Sequence, residues 1–171
     1  MELKVTPFLV VSDDIVASSE NGSKLSIQNF RRGACEGVQY ECSSLIHGLA
    51  VSSKCVYVLV EHSILVLEIQ EDESTFNVEL LNTIELVDVS DGAIIHSVDK
   101  DKILLASTTT LILYNANNGD TIKQWELDSS VKCFDSKSYG YKNEVLVGCE
   151  RSILCINKRS FEIQEVMYVD F

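Results

Sequence analysis

The three histidines, His47, His62 and His96, are the first candidates for chemistry, because imidazole is both a common metal ligand and a general base near neutral pH. No two of them stand at metal-ligand spacing, and the sequence contains no Cys-x-x-Cys motif. His62 falls in a predicted hairpin turn, whereas His47 and His96 fall near predicted innermost strands. We interpret all three as structural or surface residues, and a site that uses His47 and His96 stays open as the alternative.

Two aspartate-rich segments, residues 88–92 and 99–101, resemble calcium-binding loops in composition. Neither has the alternating oxygen ligands, closed by a glutamate, that such a loop needs. Aspartate and glycine are also the usual residues of turns between strands. The sequence has no glycine-rich phosphate loop and no nucleophile elbow. We therefore predict a protein that is not an enzyme and that uses no metal or other cofactor.

The six cysteines are an even number, as a disulfide-bonded protein would have. The chain is longer than a disulfide-dependent miniprotein, and its first residues lack the basic start and long apolar centre of a signal peptide. Cys55, Cys149 and Cys155 lie in apolar runs, where a thiol behaves as a small hydrophobic group. No apolar stretch approaches the roughly 20 residues that cross a bilayer. We expect reduced cysteines, no membrane insertion and an intracellular location, in the cytoplasm or the nucleus.

The chain has a formal net charge of −12 at pH 7. This acidity argues against binding nucleic acid through its phosphates, which requires clustered lysine and arginine. The acidic run Glu71-Asp72-Glu73 and the basic pair Arg31-Arg32 fall in predicted turns and loops. We interpret such charges first as solvated groups that favour solubility, and alternatively as contacts for a protein partner.

Trp125 is the only tryptophan of the chain and falls in a predicted outer strand. Tryptophan is enriched among the residues that dominate protein interfaces. The commoner use of such a side chain is to cover part of a neighbouring sheet. The candidate residues for contact with a protein partner are therefore Arg31, Arg32, Glu71, Asp72, Glu73 and Trp125.

Four copies of one short apolar pattern organise the chain. Each copy is an apolar run that ends in Asn or Glu, and its anchor residue lies 39, 47 and 42 residues from the next in turn. The four anchors are Leu25, Ile64, Leu111 and Ile153. A second strand-like run precedes each anchor, and in the last three copies it starts eight residues before the anchor. Two short β-rich runs joined by a few polar residues predict a tight hairpin.

Each hairpin has a further candidate strand on either side, which makes four strands in each unit. The outer pairs are predicted at residues 8–11 and 37–42, 45–51 and 76–81, 93–98 and 121–127, and 131–134 and 161–169. The middle strands are the most apolar, as expected of strands that are covered on both faces. A four-stranded unit that repeats every 40–45 residues or so has the period of a β-propeller blade. The predicted blades are roughly residues 6–43, 44–87, 88–128 and 129–171 of one domain.

The units resemble degenerate WD40 repeats. In that family the third strand ends in a Trp-Asp pair, often followed by a glycine in the next turn. The Trp position here holds Gln28, Leu67, Tyr114 and Ile156, and the Asp position holds Asn29, Glu68, Asn115 and Asn157. Gly33 and Gly119 each follow their asparagine by four residues. No unit has a true Trp-Asp pair or the Gly-His dipeptide of the family, so the resemblance implies a propeller more than a particular propeller family.

The sequence therefore predicts an all-β protein of about four propeller-type blades, each a four-stranded antiparallel sheet. WD40-like rings usually have about seven blades. The chain is then a piece of a longer propeller, or is completed by another chain or segment, or closes alone; we favour the first two. We predict a non-catalytic scaffold for one or more protein partners within a complex. The alternative is a propeller enzyme or ligand-binding domain with a site at the axis, and a third hypothesis is a subunit that only locks a larger assembly.

The predicted reduced state of the cysteines is open to direct measurement. Denaturation without reductant, followed by titration with a thiol reagent, should count all six thiols of each chain, because the predicted compartment keeps cysteine reduced. A disulfide recovered after purification under non-oxidising conditions would contradict the predicted intracellular location.

Overall fold

The computed structural model describes residues 8–10, 15–20, 22–30, 36–52, 55–72, 75–87, 92–99, 101–135 and 143–168. Within these ranges the chain forms sixteen β-strands and no helix. The strands make four sheets of four strands each, and every pair of neighbouring strands is antiparallel. The predicted all-β class with four four-stranded antiparallel sheets is therefore confirmed.

The strands follow one another across each sheet in sequence order. The first sheet contains β1 Phe8–Val10, β2 Ile15–Glu20, β3 Lys24–Asn29 and β4 Glu36–Glu41. The second contains β5 Ile46–Ser52, β6 Cys55–Val60, β7 Ser63–Glu71 and β8 Phe76–Glu85. The third contains β9 Ile94–Asp99, β10 Lys102–Ser107, β11 Thr110–Asn115 and β12 Thr121–Glu126. The fourth contains β13 Val131–Asp135, β14 Glu144–Cys149, β15 Ser152–Asn157 and β16 Ile163–Tyr168.

Asparagine closes the turn after the third strand in the third and fourth sheets. The side-chain oxygen of Asn115 accepts a hydrogen bond of 2.9 Å from the backbone N–H of Asn117. The side-chain oxygen of Asn157 accepts the backbone N–H of Arg159 at 2.9 Å. Gly119 completes the first of these turns with a φ of 78° and donates its N–H to the Asn115 carbonyl. The glycine predicted in the turn after β11 is thus confirmed, whereas Gly33 lies outside the described residues.

Successive sheets are joined by three apolar clusters. The first cluster lies between the first and second sheets, the next between the second and third, and the last between the third and fourth. We call the side of a sheet that faces the next sheet along the chain its forward face, and the opposite side its backward face. Because side chains alternate along a strand, one middle strand supplies both clusters that touch its sheet. Tyr57 and Leu59 of β6 face forward, whereas Val56 and Val58 of the same strand face backward.

The inner strands also lie side by side, with β5 next to β1 and to β9, and β9 next to β13. The hydroxyl of Ser97 in β9 donates a hydrogen bond to the backbone carbonyl of Val51 in β5. Within the described residues, none of the three apolar clusters joins the first sheet to the fourth. The four sheets therefore form a series in which each packs on the next.

The predicted anchors occupy one equivalent position in the four sheets, but their burial differs. Leu25, Ile64 and Leu111 have no exposed surface, at 0% each. They lie on the forward faces of the first three sheets. Ile153 has the same position in the fourth sheet and remains partly exposed. No sheet within the described part of the chain follows the fourth, which explains the difference.

Because the anchors differ in burial, their truncation should lower the free energy of unfolding by different amounts. Ile64→Ala and Leu111→Ala should each lower the free energy of unfolding by about 2–5 kcal/mol, because each leaves a cavity in a closed cluster. Ile153→Ala should cost only about 1 kcal/mol, because part of that side chain is already in water. Urea unfolding of the three variants beside the parent chain measures the comparison. Equal losses at all three positions would contradict the open fourth face.

Candidate interaction surface on the fourth sheet

The forward face of the fourth sheet is apolar and uncovered within the described residues. Leu146 and Gly148 of β14 lie beside Cys155 and Ile153 of β15, and all four residues are partly exposed. The equivalent residues of the second sheet, Tyr57, Leu59, Ile64 and Val66, lie in the cluster between the second and third sheets and are at most 4% exposed. The fourth sheet thus presents to solvent the kind of surface that the second sheet buries.

The strands at the two edges of the fourth sheet extend this face. Cys133 in β13 is paired with Gly148, and Met167 in β16 is paired with Ile153. Met167 is 54% exposed and lies on this face beside Ile153. Tyr168, which is 60% exposed, lines a hollow on the opposite side of the sheet. We call Cys133, Leu146, Gly148, Ile153, Cys155 and Met167 the forward patch.

A glycine allows the Cys133 thiol to lie on this patch. A Cβ atom added at Gly148 would stand 2.6 Å from the Sγ atom of Cys133, which is far closer than real Cβ contacts. Any side chain at position 148 would therefore displace the Cys133 thiol. Cys133 is exposed, so the reactivity of its thiol shows whether the patch is open to solvent.

Glu144, the first residue of β14, lies at one end of the patch, where it pairs with Asn157 at the end of β15. Burial raises the pKa of the Cys155 thiol, and the Glu144 carboxylate raises it further through a hydrogen bond and through its charge. The Oε2 atom of Glu144 is buried and has no hydrogen-bond partner among the described residues. A hollow of about 620 Å³ is lined by Glu144, Cys155 and Gln164 and also by Lys123 and Trp125 of the third sheet. A carboxylate oxygen that is shielded from water without a partner is costly, and Lys123 supplies a cationic side chain to the same hollow.

A second hollow lies on the opposite side of the fourth sheet, towards the third. It has a volume of about 340 Å³ and is lined by residues of both sheets, among them Glu126, Arg151, Leu154 and Glu165. Three of its lining residues are acidic and Arg151 is basic. The nearby Ser130 hydroxyl donates a hydrogen bond of 3.4 Å to Glu150.

Of the predicted contact residues, Glu71 joins two sheets and Asp72 closes a turn. The side-chain amide of Asn29 in the first sheet donates a hydrogen bond of 2.9 Å to Glu71 of the second sheet. The carboxylate of Asp72 accepts the backbone N–H of Thr75 at 2.8 Å and closes the β7–β8 turn. Arg31, Arg32 and Glu73 lie outside the described residues.

Trp125 lies in the outer strand β12, at the margin of the cluster between the third and fourth sheets. The ammonium group of Lys123 stands 5.3 Å from the centre of the Trp125 ring, a distance at which the ring attracts a cation. The same ammonium donates a hydrogen bond of 2.7 Å to the carbonyl of Phe161, which lies between β15 and β16. Trp125 and Lys123 thus join the two sheets at their outer edges.

The histidines do not converge on one site. His47 is exposed, and His62 lies in the β6–β7 turn, with its ring 4.0 Å from the Glu61 carboxylate. His96 stacks on Phe134 between the inner strands of the third and fourth sheets, with 5.3 Å between ring centres. Across the described ranges, no group of three or more His, Cys, Asp or Glu side chains is placed to hold a metal ion.

The forward patch was not among the residues predicted from the sequence, which assigned Ile153 the same position as the other three anchors. The sequence differs from the other units at two positions of this face. Gly148 and Cys155 stand where the second sheet has Leu59 and Val66, so the last unit has smaller side chains at its forward positions. The sequence does not show which sheet covers a given face. The smaller side chains could therefore be interpreted only once the arrangement of the sheets was known.

Comparisons with known proteins support the fold alone. No protein-family model matches the chain, and no curated protein does. The chain is similar to the crystal structure of the computationally designed Ika8 protein, with a TM-score of 0.65 and 15% sequence identity. The similarity covers 92% of this chain and 47% of the Ika8 chain. The chain therefore spans about half the length of the structure that it matches.

No helix in the described part of the chain is long and apolar enough to span a membrane.

Thiol reactivity in the native state should distinguish the patch from the interior. Cys133 should be alkylated readily at pH 8, because its side chain is exposed. Cys42 should be protected, because it is 7% exposed and burial raises its pKa to about 11. At pH 8 such a thiol is thiolate, the reactive form, in only about one molecule in a thousand. Iodoacetamide labelling followed by peptide mass spectrometry measures both sites, with Cys133→Ser as the control. Protection of Cys133 in the isolated chain would show that the patch is already covered.

Proposed function

We propose that the chain is an incomplete β-propeller that works as a non-catalytic scaffold for protein partners. The observation that carries the proposal is the forward patch, which has the position and the apolar character of a face that is buried between sheets elsewhere in the chain. Contiguous apolar faces that remain open to solvent are characteristic of interaction sites in solvated proteins. The patch therefore makes contact with further protein.

The arrangement of the sheets supports a propeller. Four-stranded antiparallel sheets follow each other, each packs its forward face on the next, and their first strands lie side by side, as in the blades of a propeller. The similarity covers 47% of the Ika8 chain, so that structure contains about twice the length of polypeptide that forms these four sheets. The missing sheets belong either to a longer polypeptide or to another chain.

The inner strands favour a scaffold over an enzyme with a site at the axis. Such a site needs polar groups that converge on a substrate. Here the Ser97 hydroxyl is used in a hydrogen bond to the neighbouring inner strand, and His96 stacks on Phe134. Arg31, Arg32, Glu71, Asp72, Glu73 and Trp125 remain candidates for additional contacts with partners. The expected location stays intracellular, in the cytoplasm or the nucleus.

The proposal predicts a constant companion that is lost when the patch becomes charged. The chain isolated from its native source should elute in a complex larger than one chain. Ile153→Asp should release it, because an aspartate would be buried without a partner in the contact. Ile122→Asp is the matched control, since Ile122 is a 40% exposed isoleucine on an outer strand of the third sheet. Size-exclusion chromatography with light scattering gives the masses.

Two results would contradict the scaffold proposal. The first is a parent chain that is monomeric when isolated gently from its native source. The second is a companion that remains bound to Ile153→Asp as firmly as to Ile122→Asp. Circular dichroism of both variants should retain the β-sheet spectrum, so that loss of the companion reports contact and not unfolding.

A further inference from the structure

The turn between β11 and β12 contains an Asn-Gly pair, Asn118-Gly119, at the outer end of the third sheet. The Asn118 side chain is exposed, and Gly119 has a φ of 78°. The sequence has one other Asn-Gly pair, at positions 21 and 22, and position 21 lies outside the described residues. An asparagine followed by glycine is especially prone to lose its side-chain amide, because glycine has no side chain to hinder attack by its own backbone nitrogen.

This loss of the amide needs only the chain and water. The backbone nitrogen of Gly119 attacks the side-chain carbonyl carbon of Asn118, so that a bond forms between Gly119 N and Asn118 Cγ. The Cγ–Nδ2 bond breaks, and ammonia leaves with the proton of the Gly119 N–H. Water then opens the resulting cyclic succinimide at either carbonyl. One product is aspartate, and the other is isoaspartate, in which the main chain runs through the side-chain carbon.

In the folded turn, hydrogen bonds occupy both reacting groups. Gly119 donates its N–H to the Asn115 carbonyl at 2.8 Å. The Asn118 Nδ2 atom donates a hydrogen bond of 2.6 Å to the Asp120 carboxylate, and the Asn118 Oδ1 atom accepts the Asp120 backbone N–H at 3.1 Å. The attacking nitrogen and the amide that must leave are therefore both restrained, and the turn has to open before they can react.

We infer that Asn118 is a site of spontaneous deamidation and that opening of the β11–β12 turn controls the rate of this reaction. Both products destabilise the closed turn. An aspartate at position 118 places a second carboxylate against Asp120, in place of the amide that donates to it. Isoaspartate lengthens the main chain between Asn115 and Asp120, whose backbone N–H and carbonyl are joined by a hydrogen bond of 2.8 Å. Each opening that leads to reaction is therefore recorded as a permanent change of the turn.

The same turn lies against the second sheet. The side-chain amide of Asn82 in β8 donates hydrogen bonds to the carbonyls of Ala116 and Asn117, at 3.0 and 3.3 Å. Gly119 faces Ile84 of the same strand, since a Cβ atom added at Gly119 would stand 3.6 Å from the Ile84 Cγ2 atom. Deamidation in this turn should therefore loosen the outer end of the contact between the second and third sheets, whether or not the chain has a partner.

Peptide mass spectrometry of the full chain measures both the site and its control by the fold. The chain is incubated near neutral pH, either folded or in urea, and trypsin then releases the peptide of residues 103–123. In urea, Asn118 should deamidate faster than Asn115 and Asn117, which no glycine follows. In the folded chain the rate at Asn118 should be lower by about tenfold or more. Equal rates at the three asparagines in urea would overturn the site, and equal rates at Asn118 in both states would overturn control by the turn.

Asp120→Ala tests the restraint on the leaving amide. The substitution removes the carboxylate that accepts from Asn118 Nδ2 and keeps the backbone groups at position 120. Relative to the rate in urea, the rate of deamidation in the folded variant should rise by about fivefold or more. Asp128→Ala is the matched control, because Asp128 is an exposed aspartate beyond the end of β12 and its replacement removes the same charge. Deamidation of both variants at the parent rate would refute the restraint by Asp120.

Asn118→Asp reproduces one product and tests its effect on the turn. Hydrogen exchange of the Asn115 and Gly119 amides, which donate within the turn, should accelerate by about fivefold or more. Asn77→Asp is the matched control, because Asn77 is exposed on β8 and the change adds the same charge. Exchange that is unchanged in Asn118→Asp, or raised equally in Asn77→Asp, would refute the destabilised turn.

Discussion

The burial of aliphatic side chains between successive sheets is the interaction on which the rest of this structure depends. A four-stranded sheet with apolar side chains on both faces is not stable in water by itself, because neither face of its middle strands is hidden. Val58 and Leu59 are neighbours in β6 and each is 0% exposed, although they lie on opposite sides of the sheet. Each sheet thus depends on the one before it and the one after it, as the units of a repeat protein do.

Polar groups follow the same arrangement. Asn115 and Asn157 accept backbone N–H groups in the turns that leave the third strands, so these turns form without a true Trp-Asp pair. Asn29 occupies the corresponding position in the first sheet, and its side chain reaches Glu71 of the second sheet. One residue type therefore closes a turn in two units and joins two sheets in another. Asparagine suits both uses because its amide oxygen accepts local backbone N–H groups and its amide nitrogen donates.

The sequence by itself determined the strands, their grouping in fours and the equivalence of Leu25, Ile64, Leu111 and Ile153, because alternation, turn residues and repeat spacing are local properties of the chain. In the second sheet, β8 extends beyond the predicted residues 76–81 to Glu85, and Glu71 at the end of β7 pairs with Phe76. Only the tertiary structure decided that Ile153 is partly exposed while the other anchors are buried, and that Glu71 meets Asn29. Both depend on which sheet lies against which face. That order is fixed by contacts between residues some 40 positions apart, as with Asn29 and Glu71 at a separation of 42, and no local pattern encodes it.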